Sequence, residues 1–202
     1  MEKFETFNEL ILALLLWITT HTDYKEPKTF PKIQFIEQKA LAEMACGREC
    51  EILALTPDNP KYTIFLADTL SPMDDICHRG ILLHELIHIL QEDQEIFVNY
   101  EDRTKKHLRE MDALVNHNVF LSQFGKKILY SNGFAAKFKS EAKQNLYCWF
   151  SIETISSLSM YPKKNSSEIM NAGVPLKPRF LAKSISFLSF WLISSSLIFF
   201  SM

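Results

Sequence analysis

The sequence predicts an α+β fold: a small sheet of about three strands, mostly antiparallel or mixed, packed on two successive helices. Three observations carry that expectation. Short apolar or alternating stretches bounded by Pro, Asn and Asp fall early, between residues 30 and 68. Longer segments of helical character follow, around Gly80 to Gln91 and roughly from Arg103 to Phe124. Strands therefore precede helices, without the regular alternation of a parallel sheet. At 202 residues the chain can bury one core, and 47% hydrophobic with 23% charged residues is ordinary for a globular domain.

Taken in order, the N-terminus has an apolar run from Leu10 to Thr20, too short to span a bilayer. Its leader sets Lys3 against Glu2, Glu5 and Glu9, and no A-x-A-like cleavage site follows, which fits a signal peptide poorly. Phe4, Phe7, Ile11, Leu14, Leu15 and Ile18 recur at helical spacing, so this segment is expected to be a buried first helix. "FPKIQFIE" follows as a strand, "QKALAEMACG" as a short helix stopped by Gly47, and "CEILALTP" and "YTIFLAD" as two more strands. Ser71 with Pro72, or Asp74 with Asp75, can open the next helix. After the Arg103–Phe124 helix, more helix is expected over Ser131 to Phe150.

The remainder reads differently. Residues 161–183 carry Pro, Asn, Ser and Gly without periodicity, as a linker does. Residues 184–202 hold no charge and would make a helix about 28 Å long, which fits a single-pass membrane anchor. Lys177, Arg179 and Lys183 precede it, an arrangement that keeps the main domain, residues 1–160, in the cytoplasm. Membrane association through this tail is thus one expectation; a packed helix or an unstructured appendage is the other.

A net charge of −2 and no dense basic cluster exclude a nucleic-acid partner. Cys46, Cys50, Cys77 and Cys148 make no CxxC pair and are expected as small buried thiols. Cys46 and Cys50, four apart, are the pair an exported domain would close.

The chemistry concentrates in "GILLHELIHILQ", Gly80 to Gln91. His84 and His88 are four residues apart, so on a helix their imidazoles project from one face about 40° apart. Two nitrogens so placed can share one tetrahedral Zn²⁺. Glu85 sits beside them, free to take a proton from an attacking water and pass it to a leaving amine. This is the HExxH arrangement. Apolar residues cover the other sides of the helix, and burying two histidines and a glutamate there is costly unless they are liganded or paired.

On these residues the sequence resembles the zincins, and "LLHELIHILQ" is similar to the active-site helix of small bacterial zincin-like domains. The metzincin pattern is excluded, since Gln91 and Gln94 stand where a glycine and a third histidine would be required. The resemblance is to the gluzincin pattern, which implies a zincin-like fold, a peptide or protein substrate, and a third zinc ligand that is acidic and lies on the following helix. "HLREMDAL" offers Glu110, in an E-x-x-A context like that of the membrane-bound peptidases that cleave prenylated proteins. Asp112, directly before the alanine, is the alternative that other small zincins would select. Leu108, Met111, Leu114, Val115 and Leu121 make the core stripe of that helix, with both acids at its edges; the longer reach of Glu110 favours it.

The pattern also has departures. The carboxylate that gluzincins often carry four residues after the ligand glutamate is Leu114 here, so the partner that orients a ligand histidine must come from elsewhere, Asp112 being one source. Tyr100, His107 and His117 are nearby candidates for stabilising an oxyanion, none of them selected by the sequence. "YTIFLAD" is a candidate edge strand for holding an extended peptide. The resemblance covers roughly Pro31 to Gln123 and implies a zinc metallopeptidase with Glu85 as general base. The competing expectation is a non-catalytic metal-binding scaffold or a membrane-tethered interaction protein.

Overall fold

The computed structural model describes residues 3–131 and 147–151 of the chain. Helix α1 (Phe7–His21) opens with Thr6, whose hydroxyl accepts the Glu9 amide at 3.2 Å while the Glu9 carboxylate reaches back to the Glu5 amide at 2.9 Å. Leu10, Ile11, Leu14, Leu15 and Ile18 are buried, so the first helix belongs to the core as its periodicity predicts. Leu12 and Leu16, on the opposite face, stay exposed.

The chain then forms β1 (Lys32–Ile36), α2 (Gln38–Cys46), β2 (Ala54–Leu55), β3 (Thr63–Ala67) and α3 (Ile76–Asp93). Gly47 ends α2 at φ 61°, the left-handed geometry that a glycine adopts without strain. The three strands make one mixed sheet in the order β1-β3-β2, with β1 parallel and β2 antiparallel to β3. All five β3 residues are buried, because it is paired on both sides. The expectation that "YTIFLAD" is an edge strand is therefore overturned; β2 holds that place on the side of α3.

Asp75 caps α3, accepting from the amides of Cys77 at 2.7 Å and His78 at 3.2 Å. Arg79 is buried in the first turn, donating to the carbonyls of Pro72 and Met73 and stacking over the Phe4 ring. Leu82, Leu83, Leu86, Ile87 and Leu90 are fully buried, each gaining about 1.5–3 kcal/mol by leaving water. That gain offsets the desolvation of His84, Glu85 and His88 on the same helix.

Helix α4 (Asp102–Ser122) lies against α3. Its buried face runs through Leu108, Ala113, Leu114, Asn116, His117, Phe120 and Leu121, while Val115 is 42% exposed. The predicted stripe is thus rotated: a polar pair, Asn116 and His117, takes space that hydrophobicity alone assigns to Val115. The two helices meet at Gly80, where a Cβ would come within 2.3 Å of His117 Nε2 and 3.1 Å of Leu121 Cδ2. Alanine in place of a helical glycine normally stabilises by about 1 kcal/mol. Here Gly80→Ala is expected to destabilise by about 1–3 kcal/mol in urea denaturation, because the ring of His117 is buried and must shift. A denaturation midpoint that stays put or rises would contradict this crossing.

Beyond α4, Lys127–Ser131 (β4) and Tyr147–Ser151 (β5) pair in parallel, which corrects the helix expected over 131–150 at both of its ends. "KILYS" and "YCWFS" are rich in β-formers, but the partner each requires is distant in sequence. Residues 132–146, the predicted linker at 161–183 and the predicted anchor at 184–202 lie outside the described residues. No helix among the described residues is long and apolar enough to cross a membrane.

The expectation of four thiols is also overturned: Cys46 pairs with Cys50 and Cys77 with Cys148. The turn at Gly47 brings Cys50 back onto the end of α2, and only the folded chain brings Cys148 to the first turn of α3, 71 residues from Cys77.

Candidate metal centre

One turn of α3 carries His84 and His88, and one turn of α4 brings Glu110 across to them. All three are buried or nearly so. His88 Nε2 lies 3.1 Å from His84 Nε2, and the Glu110 oxygens lie 3.4 Å from His84 Nε2 and 3.5 Å from His88 Nε2. Ligands held at about 2.0–2.1 Å around a tetrahedral Zn²⁺ are roughly 3.3–3.4 Å from one another. Two imidazole nitrogens and a carboxylate at that mutual spacing fit the ion in number, type and separation.

The acids divide their roles. Glu110 joins the cluster and Asp112 does not: its Oδ2 accepts from Gln91 Nε2 at 3.0 Å and from the Tyr24 hydroxyl, and Asn116 Nδ2 approaches Oδ1 at 3.4 Å. Gln91 Oε1 in turn lies 2.9 Å from His88 Nδ1. Asp112 thus supports His88 through an intervening amide, where the sequence left open whether it would itself be the third ligand. Glu85 is buried, and its Oε2 accepts the Thr56 hydroxyl at 2.7 Å. Thr56 follows directly on β2, so the edge strand and the carboxylate of the HExxH motif are tied together.

Of the other candidates, Tyr100 is 46% exposed. His117 is buried, with its ring centroid 5.9 Å from that of His84. Gln91, Thr56 and Tyr24 were not singled out by the sequence. Gln91 could have been found as the polar residue one turn beyond His88, whereas Tyr24 lies 88 residues from the acid it contacts and left no signal.

The electrostatics follow from this packing. Burial alone would lower the His88 pKa, but the Glu110 carboxylate outweighs it, assisted by Glu85 and Gln91, and the value is raised. Burial would raise Glu110, yet the two imidazoles hold it well below the usual carboxylate range. Burial, with a contribution from His84, pushes His117 well down.

A metal ion takes a neutral imidazole, so a proton on His88 competes with it until the pH exceeds that raised value. In the metal-free protein the sign is opposite. Stability from charged His88 is complete below the ordinary histidine pKa, and is lost as pH rises through the raised one. Glu110 stays ionised across this window. The gap between zinc-loaded and metal-free melting temperatures is therefore expected to widen from about pH 6 to about pH 8. A gap that narrows would place the ion elsewhere.

The model of one family, described as a domain of unknown function (DUF6647), matches residues 3–118. The chain belongs to this family. The DUF6647 span contains His84, Glu85, His88, Glu110 and each residue that touches them above, from Tyr24 to Asn116. It ends before β4 and β5, so Cys148 ties a segment beyond the DUF6647 span to α3. Comparison with curated proteins and with solved structures finds no match.

Proposed function

We propose that this protein is a zinc-dependent metallopeptidase of gluzincin type, hydrolysing peptide bonds with His84, His88 and Glu110 as ligands and Glu85 as general base. The observation that carries the proposal is the triangle of ligand atoms with edges of 3.1 to 3.5 Å, with Glu85 held next to it by Thr56. Bound Zn²⁺ supplies a Lewis acid for the scissile carbonyl and lowers the pKa of water to about 7. Glu85 accepts the proton of the attacking water on the oxygen that Thr56 leaves free, then delivers it to the departing amine. Thr56 fixes the rotation of that carboxylate, so the proton is received in one direction.

On this reading substrate lies along β2, which among the described residues is an edge strand next to α3 and suits an extended peptide. A cleft of ≈ 120 Å³ begins at Thr56 and is lined by Ile89, Asp93, Tyr62, Lys61 and Arg109. Ile89 and Asp93 lie four and eight residues after Glu85 on α3, so the cleft is reached along that helix from Glu85, though neither Glu85 nor the histidines line it.

A non-catalytic scaffold or a tethered interaction protein gives no reason to bury Glu85 beside two histidines and steady it with a hydroxyl. The deciding experiment incubates zinc-loaded protein with an unbiased peptide mixture and reads new termini by mass spectrometry. Cleavage at defined bonds, lost on chelation and restored by zinc, is the expected result. Zinc-loaded protein that cuts nothing would leave the scaffold reading in its place.

A further inference from the structure

We infer that Gln91 and Asp112 are positioning residues that set the tautomer of His88, and that an amide here does the task usually given to a carboxylate next to a metal-binding histidine. The inference rests on the metal-centre reading of His84, His88 and Glu110.

The sense of each hydrogen bond follows from groups that can act in only one way. Gln91 Nε2 lies 3.0 Å from the Arg109 carbonyl and 3.0 Å from the Asp112 carboxylate Oδ2, both acceptors. Gln91 Oε1 lies 3.4 Å from Arg109 Nε, which only donates. The amide therefore has one orientation, with its oxygen towards His88. Since that oxygen cannot donate, His88 Nδ1, 2.9 Å away, carries the proton. The lone pair of the neutral ring is then on Nε2, the atom that faces His84 and Glu110. Reversing the amide would set its oxygen against a carboxylate and a carbonyl, so Asp112 locks the orientation, and the Tyr24 hydroxyl and Asn116 hold Asp112.

Information thus passes from the segment after α1 and from α4 to a nitrogen on α3 through groups outside the ligand triangle. The amide accepts one proton without bearing charge, so it fixes the ring without adding an anion to a buried centre that already holds Glu110 and Glu85. It also explains the leucine at 114: the support for the ligand enters from α3 itself, and from α4 two residues after Glu110.

The test uses the full chain and zinc alone, with affinity read by competition against a chromophoric chelator. Gln91→Leu is expected to bind zinc roughly tenfold to hundredfold more weakly with its circular dichroism unchanged. Gln91→Glu, which sets two carboxylates face to face, should also weaken binding. The double variant Gln91→Glu with Asp112→Asn restores a donor between positions 112 and 91 but leaves the Arg109 carbonyl without one, so it should bind zinc more tightly than Gln91→Glu while staying below wild type, a partial rescue that packing alone does not give. Long-range ¹⁵N–¹H NMR on metal-free wild type at a pH above the His88 titration should show the proton on Nδ1, a result that needs no variant to fold. Zinc affinity unchanged in Gln91→Leu, a folded double variant that binds zinc no better than Gln91→Glu, or a proton on Nε2 would each overturn the inference while zinc binding stands. Wild type that takes up no zinc would remove the metal-centre reading, and this one with it.

Discussion

Glu85→Gln is expected to lower peptide hydrolysis by roughly 10²- to 10⁴-fold, the usual contribution of a positioned general acid–base. That corresponds to about 2.7–5.5 kcal/mol of transition-state stabilisation. The substitution is well suited to the geometry, because a glutamine oxygen still accepts the Thr56 hydroxyl and the side-chain volume hardly changes. What disappears is the basic oxygen. Zinc content should remain at one per chain, since Glu85 is not among the ligand atoms. The measurement pairs kcat/KM on one cleaved peptide with metal analysis of the same samples. Full activity in zinc-loaded Glu85→Gln would remove Glu85 as the base. Loss of zinc along with activity would make it part of the metal site.

Replacing a ligand acts on the ion itself. If the roughly 10–16 kcal/mol of a four-ligand zinc site is shared evenly, one ligand contributes about 3–4 kcal/mol, or a few hundredfold in affinity. His84→Ala and Glu110→Ala are each expected to lose that much. Asp112→Ala should lose less, roughly tenfold to hundredfold, because it acts only through Gln91. The order of the three, by metal titration, is the test: Asp112→Ala weaker than Glu110→Ala would return the ligand role to Asp112.

Much of this was legible because period and spacing are local. Helix α3 could be placed from its apolar cover and its histidine pair from the four-residue interval, while its cap was narrowed to Ser71 with Pro72 or Asp74 with Asp75, of which the structure takes Asp75. The short stop at Gly47 was equally plain. The choice between Glu110 and Asp112 was not, because it depends on how α4 is rotated against α3, a rotation that also sets the His117 ring against Gly80. The edge strand was misplaced for a similar reason. "YTIFLAD" looks like any buried strand, and only the short β2, with two residues in register, shows which side of it is covered. The tie from Tyr24 to Asp112, and the pairing of Cys77 with Cys148, join residues with no shared pattern in the chain at all.

The paired sulfurs bear on which metal chemistry is open to the molecule. Thiolate is a soft, strongly zinc-binding donor, and a reduced chain would offer four of them. With Cys46, Cys50, Cys77 and Cys148 closed as disulfides, that competition is absent, and a borderline ion entering the fold meets imidazole and carboxylate instead. In a reducing medium the same polypeptide would present two rival sets of donors, and the hard-and-soft preference of the ion would decide between them.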